Sequence, residues 1–140
     1  MIQFDTSSGK FVIDVLGDLS GADLFEPLDE IGARFIRLVR LGFRNSVDPY
    51  GNAWEPLKVR DGQPLLDTGW LEKSFVHQAN LNGQLRVGSN LIYAATHNEG
   101  RGPIPKRQII PGDELPTTWE DEAVSVIDAH LQEVADRATR

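Results

Sequence analysis

The chain contains no cysteine, which removes a disulfide framework, a thiolate metal site and a cysteine nucleophile together. That composition is compatible with a reducing compartment such as a cytoplasm. Nor does any apolar run approach the roughly 20 residues that span a bilayer. MIQFDTSSGK has no basic segment leading into an apolar one, so the sequence reads as a soluble, unprocessed protein with no membrane partner. Basic charge is also short. A net charge of −7 disfavours sequence-independent nucleic-acid binding, which needs cations to displace counterions from phosphates. What is present, 40% hydrophobic and 25% charged residues over 140 positions, suits one globular domain, 1–140, with a core of ordinary size. No internal repeat or low-complexity tract is visible.

Catalytic constellations are missing too. His97-Asn98-Glu99 has the outline of the His-x-Glu of zinc deaminases, but that chemistry needs cysteine ligands. His77 and His130 lie outside any metal-ligand spacing. Ser74 with His77, or Ser89 with His97, would lack both a nucleophile elbow and an orienting acid. Gly100-Arg101-Gly102 is not continued into a phosphate loop. Asp61 and Asp67 suit turn capping better than paired acid–base work. No catalytic residue, metal or cofactor is expected, and an uncharacterised hydrolase is left as a remote alternative.

The charge that exists is segregated. Residues 1–33 carry one basic and seven acidic side chains, residues 34–107 eleven and six, and residues 108–140 two and eight. Acidic ends can pair with the basic middle inside one fold. They can equally complement it between copies, since opposite patches on different parts of a surface favour head-to-tail contacts that close into rings.

Local patterns give the elements. IQFDT and FVIDVLG read as two strands around a Gly-containing turn, with Phe11, Ile13 and Val15 alternating. Leu24, Leu28, Ile31, Phe35, Leu38 and Gly42 recur at three- and four-residue spacing, predicting a long helix from near Asp23 to before Asp48-Pro49. Ser20 and Asp23 are its candidate N-caps, and Pro27 fits only its first turn. The other side carries Arg34, Arg37, Arg40 and Arg44, a stripe whose members repel unless anions lie nearby; salt bridges to Glu30 or to the acidic C-terminal helix, or plain solvation, account for it first, and an acidic neighbour subunit or a DNA channel second. Residues 48–69 form a long structured loop, and Asp67-Thr68-Gly69 caps a short helical stretch, WLEKS. SFVHQANL and QLRVGS flank Asn82-Gly83, the pair that suits a type I′ hairpin turn. LIYAATHNEG begins as strand or helical turn and ends at Gly100. GRGPIPKRQIIPGDELP can only be an extended loop or a short edge segment. Thr117 and Glu120 form a capping box for a final helix whose apolar face is Trp119, Ala123, Val126, Ile127, Leu131 and Val134. This order predicts an α+β fold, a small antiparallel sheet packed by a long N-terminal-half helix and a C-terminal helix.

Aromatic and proline-rich loops are then the candidate partner surfaces: Tyr50, Trp54, Tyr93 and the arm from Pro103 to Pro111, with Trp and Tyr serving equally as core anchors. In DPYGNAWEPLK, Asp48-Pro49 stops the helix and Gly51 lets the chain reverse, and the segment is either a loop pinned onto the core by Trp54 or a recognition surface.

The order of RNSVDPYGNAWEPLK, LLDTGWLEKSF, VGSNLIYAATHNEG and IPKRQIIPG before a closing amphipathic helix resembles the phage virion morphogenesis family, the tail-completion proteins of Mu-like and P2-like contractile-tailed phages. The resemblance spans roughly residues 35–131. The chain departs from the family in having Gln108-Ile109-Ile110 after the Pro-x-Arg, where an aromatic is usual, and in a short stretch between Leu57 and Leu65. The resemblance implies a non-enzymatic structural protein at the end of the tail tube or in the neck, working as a ring, hexameric by expectation. It needs no cofactor, contacts tail tube, terminator or neck proteins, and passes DNA through its lumen without sequence-specific binding. A head-side neck or adaptor protein that binds portal or connector is the alternative. Candidate interface residues are Arg34, Arg37, Arg40, Arg44, Tyr50, Tyr93, His97, Ile104, Pro105, Lys106 and Arg107, with the Arg34 to Arg44 stripe a candidate for lumen or interface. Asp48, Trp54, Asp67, Thr68, Gly69 and Trp119 are the expected structural anchors.

Overall fold

A computed structural model describes residues 11–14, 21–56, 69–80, 84–112 and 114–138. Its elements are β1 (Phe11–Asp14), α1 (Gly21–Asn45), α2 (Trp70–Ser74), β2 (Phe75–Ala79), β3 (Gln84–Ser89), α3 (Ile92–Glu99) and α4 (Thr117–Ala138). The expected N-terminal strand IQFDT, Ser20, Asp61, Asp67, Thr68 and the Asn82-Gly83 turn lie outside the described residues.

Apolar spacing makes α1 the centre of the fold, because its buried residues occupy more than one stripe. Leu24, Leu28, Ile31 and Phe35 continue into Ile36, Val39 and Phe43. A face that wide can bury against two partners at once. The sheet covers one side and α4 the other, so the layers run sheet, α1, α4. The α+β architecture is as the sequence predicts.

The sheet is antiparallel throughout, in the order β1-β3-β2. Phe75 pairs with Ser89, His77 with Val87 and Ala79 with Leu85, while β1 sets Phe11 opposite Val87 and Ile13 opposite Leu85. Period-2 alternation decides the faces. Phe75, Leu85 and Val87 are buried, whereas Val76, Gln78 and Arg86 face outward. Asn80 closes the hairpin by donating its amide to the carbonyl of Gln84 and accepting from the Gln84 amide on its side-chain oxygen.

Contact between α1 and β2 is close because Gly32 has no side chain. A Cβ there would stand 2.4 Å from Cδ2 of His77. The His77 ring instead reaches Asp29, Nε2 to Oδ1 at 3.1 Å.

Four expectations about the helices change. Asp23 is inside α1, which begins at Gly21, and so is not its cap. Pro27 lies in the second turn, where it forfeits the bond an amide would give the carbonyl of Asp23. Its ring is buried, so packing offsets part of that loss. In α4 the carbonyl of Pro116 takes the Glu120 amide at 2.9 Å, which starts the helix one residue before the capping box would. Finally, Leu131 and Val134 are 49% and 47% exposed, because the last two turns of α4 run past the body of the protein.

Candidate partner-binding surface

The end of α1 organises the loops. Ser46 takes a left-handed conformation, φ 55°, the Val47 amide reaches back to the carbonyl of Gly42 at 3.0 Å, and the Ser46 amide to that of Phe43 at 3.4 Å. This pair of bonds is a Schellman closure, so the helix is stopped before Asp48-Pro49 acts. Asp48 then folds the next turn: its Oδ1 accepts the amides of Tyr50 and Asn52, both at 2.9 Å. Gly51 supplies the positive φ of 89° that the turn requires. The Trp54 amide donates to the carbonyl of Ser46 at 2.8 Å, which brings the indole under the helix end. There Trp54 meets Phe43 edge to face at 5.5 Å, and Phe43 meets Phe75 of β2 at 5.9 Å.

The proline-rich arm lies on this turn and is held from three sides. The Trp54 indole donates to the carbonyl of Gln108 at 2.9 Å. Asn98, buried on α3, accepts the amides of Ile109 and Ile110 on its Oδ1 at 2.7 and 3.1 Å. The Tyr50 hydroxyl donates to the carbonyl of Glu114 at 2.5 Å and accepts the Gly112 amide at 3.0 Å. Arg107 completes the clamp from within: it is only 7% exposed, and its Nε and Nη2 reach the carbonyls of Glu55 and Pro56 at 2.9 and 3.3 Å. A planar guanidinium presents its N–H groups in a fixed fork, so the two main-chain carbonyls are bridged from separate nitrogens with the geometry preset. At the arm's start Gly100 ends α3 with φ 75°, and a Cβ there would fall 2.8 Å from the Lys106 amide nitrogen.

The residues singled out from the sequence therefore separate. Arg107 and the polar end of Tyr50 serve this chain's own arm, while the Tyr50 ring stays half exposed. Tyr93, Ile104 and Lys106 are at the surface, and Pro105 is half buried. His97 is half buried against Tyr93, ring centroids 6.2 Å apart, and its Nδ1 is buried without a hydrogen-bond partner. Burial first, then the Arg107 guanidinium, push its imidazole below the ordinary histidine range. Trp119 packs on Phe35 at 4.8 Å between the two long helices. Gly69, at φ 78°, precedes α2.

The arginine stripe is not uniform either. Arg34 bridges Glu122 of α4 at 2.9 Å and Glu30 at 3.0 Å, and these hydrogen bonds, Glu122 first, raise its pKa. Arg44 reaches Glu72 at 4.0 Å. Arg37 and Arg40 are exposed with no ion-pair partner among the described residues. Arg40 borders Ala33, Ile36 and Val76 on the sheet side of α1.

Sequence reasoning missed a cleft of about 600 Å³ on the opposite side. Its walls are Leu38 and Leu41 at the end of α1, Tyr50 on the turn, and Leu115, Thr118 and Trp119 where the arm enters α4. Leu41, 46% exposed, is the signal that pointed there: an apolar residue set among arginines on the face read as basic.

The profile of the phage virion morphogenesis family matches residues 9–132. A curated relative, "Mu-like prophage FluMu G protein 2" of Haemophilus influenzae (strain Rd), is 42% identical over 72 residues, which cover 44% of this chain and 51% of the relative. The match thus spans about half of that relative's length. No solved structure matches the chain. With the clamp assembled from Asp48, Trp54, Asn98, Gly100 and Arg107, and most of the chain within the family profile, the protein belongs to the phage virion morphogenesis family.

Proposed function

We propose that the protein completes the tail of a contractile-tailed phage or prophage, as a non-enzymatic ring component at the end of the tail tube that permits head–tail joining. The supporting observation is how the motif residues are used. Asp48, Trp54, Asn98 and Arg107 hydrogen-bond to main-chain groups and fix two loops against each other. They converge on main-chain amides and carbonyls, so what this constellation does is hold a surface in shape. A rigid loop platform with exposed Tyr93, Ile104 and Lys106 at its edge suits contact with another protein.

The ring is homo-oligomeric, hexameric by expectation, encloses the DNA path without reading sequence, and forms in the host cytoplasm before joining the virion. Deletion of its coding sequence from an inducible prophage, followed by electron microscopy of the lysate, tests this. Filled heads and unjoined tails, restored by the gene in trans, are the expected result. Normal joined particles would sink the reading, and heads that fail to retain DNA beside normal tails would assign the protein to the head-side neck.

A further inference from the structure

Along its length α4 carries two apolar stripes. Trp119, Ala123 and Val126 face α1 and the core. Val124, Leu131, Val134 and Ala138 form a second stripe, joined to the first by Ile127, which is partly buried against the core; together they recur at alternating spacings of three and four, the spacing with which one helix packs against another. Val124, Leu131 and Val134 are each nearly half exposed. The charged residues beside this seam are mostly acidic: Glu120, Asp121 and Asp128, against Arg137 alone. Two copies of the seam facing each other would set carboxylate against carboxylate.

The same chain carries a second apolar surface with cations at its margin. The cleft at the end of α1 has an apolar wall in Leu38 and Leu41; of the two carboxylates that also line it, Asp48 is taken up by the amides of Tyr50 and Asn52, and Glu114 is on the arm. On the exposed face of α1, Leu41 is flanked by Arg37 one turn before it and Arg44 three residues after. Arg37 has no carboxylate partner among the described residues. The seam cannot fill its own cleft, because Thr118 in the cleft wall is at the start of the same helix. At about 1.5 Å per residue, Leu131 stands about 20 Å further along the axis.

We propose that the exposed seam of α4 docks into the α1 cleft of a second copy of this chain, with Asp121 and Asp128 beside that copy's Arg37 and Arg44. The contact is head to tail, so every copy offers one seam and one cleft, and repetition closes a ring or extends a filament. This deepens the ring reading above and rests on it.

Sedimentation velocity on the full chain at about 100 μM, a hundredfold above a micromolar Kd, provides the test. Wild type is expected to sediment as an oligomer. A seam variant, Leu131→Glu with Val134→Glu, and a cleft variant, Arg37→Glu with Leu41→Glu, are each expected to be monomeric with unchanged melting. All four positions are exposed, so folding is spared. An equimolar mixture of the two variants is expected to give a one-to-one dimer and nothing larger, since one intact seam then meets one intact cleft. Monomeric wild type, assembly by either variant alone, or a mixture without dimer would each overturn the contact. Prophage complementation separates this from the functional reading. If wild type assembles as described yet tails are complete without it, the contact stands and the function falls. If tails need the protein but both variants restore them, the function stands and the contact falls.

Discussion

The indole nitrogen of Trp54 and the carbonyl of Gln108 meet at 2.9 Å across 54 residues of chain, so the turn after α1 and the proline-rich arm are one structural unit. Trp54→Phe keeps the edge contact with Phe43 but strands a carbonyl, and a loss of about 1 kcal/mol is expected. Trp54→Ala also empties the pocket and should cost about 3–5 kcal/mol. Urea unfolding of both variants measures the difference, and a Trp54→Ala protein as stable as wild type would show that the indole anchors nothing.

Asn98 offers a sharper test of the same unit, because a single oxygen serves two buried amides. Asn98→Ala leaves both without a partner, at about 1–3 kcal/mol for each. Hydrogen exchange at Ile109 and Ile110 should accelerate well before exchange in β3 does. Unchanged protection at those two amides would argue that the arm is held elsewhere.

Gly32→Ala should destabilise, although alanine favours helix by about 1 kcal/mol over glycine. The new methyl would lie within 2.6 Å of two His77 ring carbons, and overpacking of this kind costs about 1–3 kcal/mol. In a double-mutant cycle with His77→Ala the penalty should largely vanish. A penalty that persists without the ring would place the strain in the helix backbone.

The pH dependence follows from His97. Its pKa is lowered in the fold, so between the folded value and the ordinary value of about 6.5 the unfolded chain binds more protons. Stability from this residue is therefore fully present above about pH 6.5 and is lost as pH falls towards the folded value. Wild type should lose more stability than His97→Gln between pH 7 and pH 5. Parallel curves for the two proteins would contradict that sign.

Much of the fold was legible because periodicity reports burial. The 24-28-31-35 spacing, the hairpin strands and Gly100 as the end of α3 each state a local rule that the packing obeys. Phe43 and Val39 were harder to place, since a helix buried on two sides has no single stripe. Leu131 and Val134 misled for the converse reason: apolar spacing marks a face that needs covering and not what covers it. The clamp residues were recognisable as a motif, but their geometry was not. The partners of Asn98 and Arg107 are main-chain groups, which leave no mark on side-chain identity. Arg34 was legible in kind: bridges to Glu30 or to the acidic C-terminal helix are what the charge pattern predicts, and both form, but the choice of Glu122, 88 residues away, is set by the stacked layers.

The claim that the protein caps a tail tube is tested most directly by mixing purified, tagged protein with isolated tail tubes and, separately, with DNA-filled heads, and imaging gold label against the tag. Label at one end of each tube, and none on heads alone, is the predicted outcome. Label at the portal vertex of heads with bare tubes would contradict it.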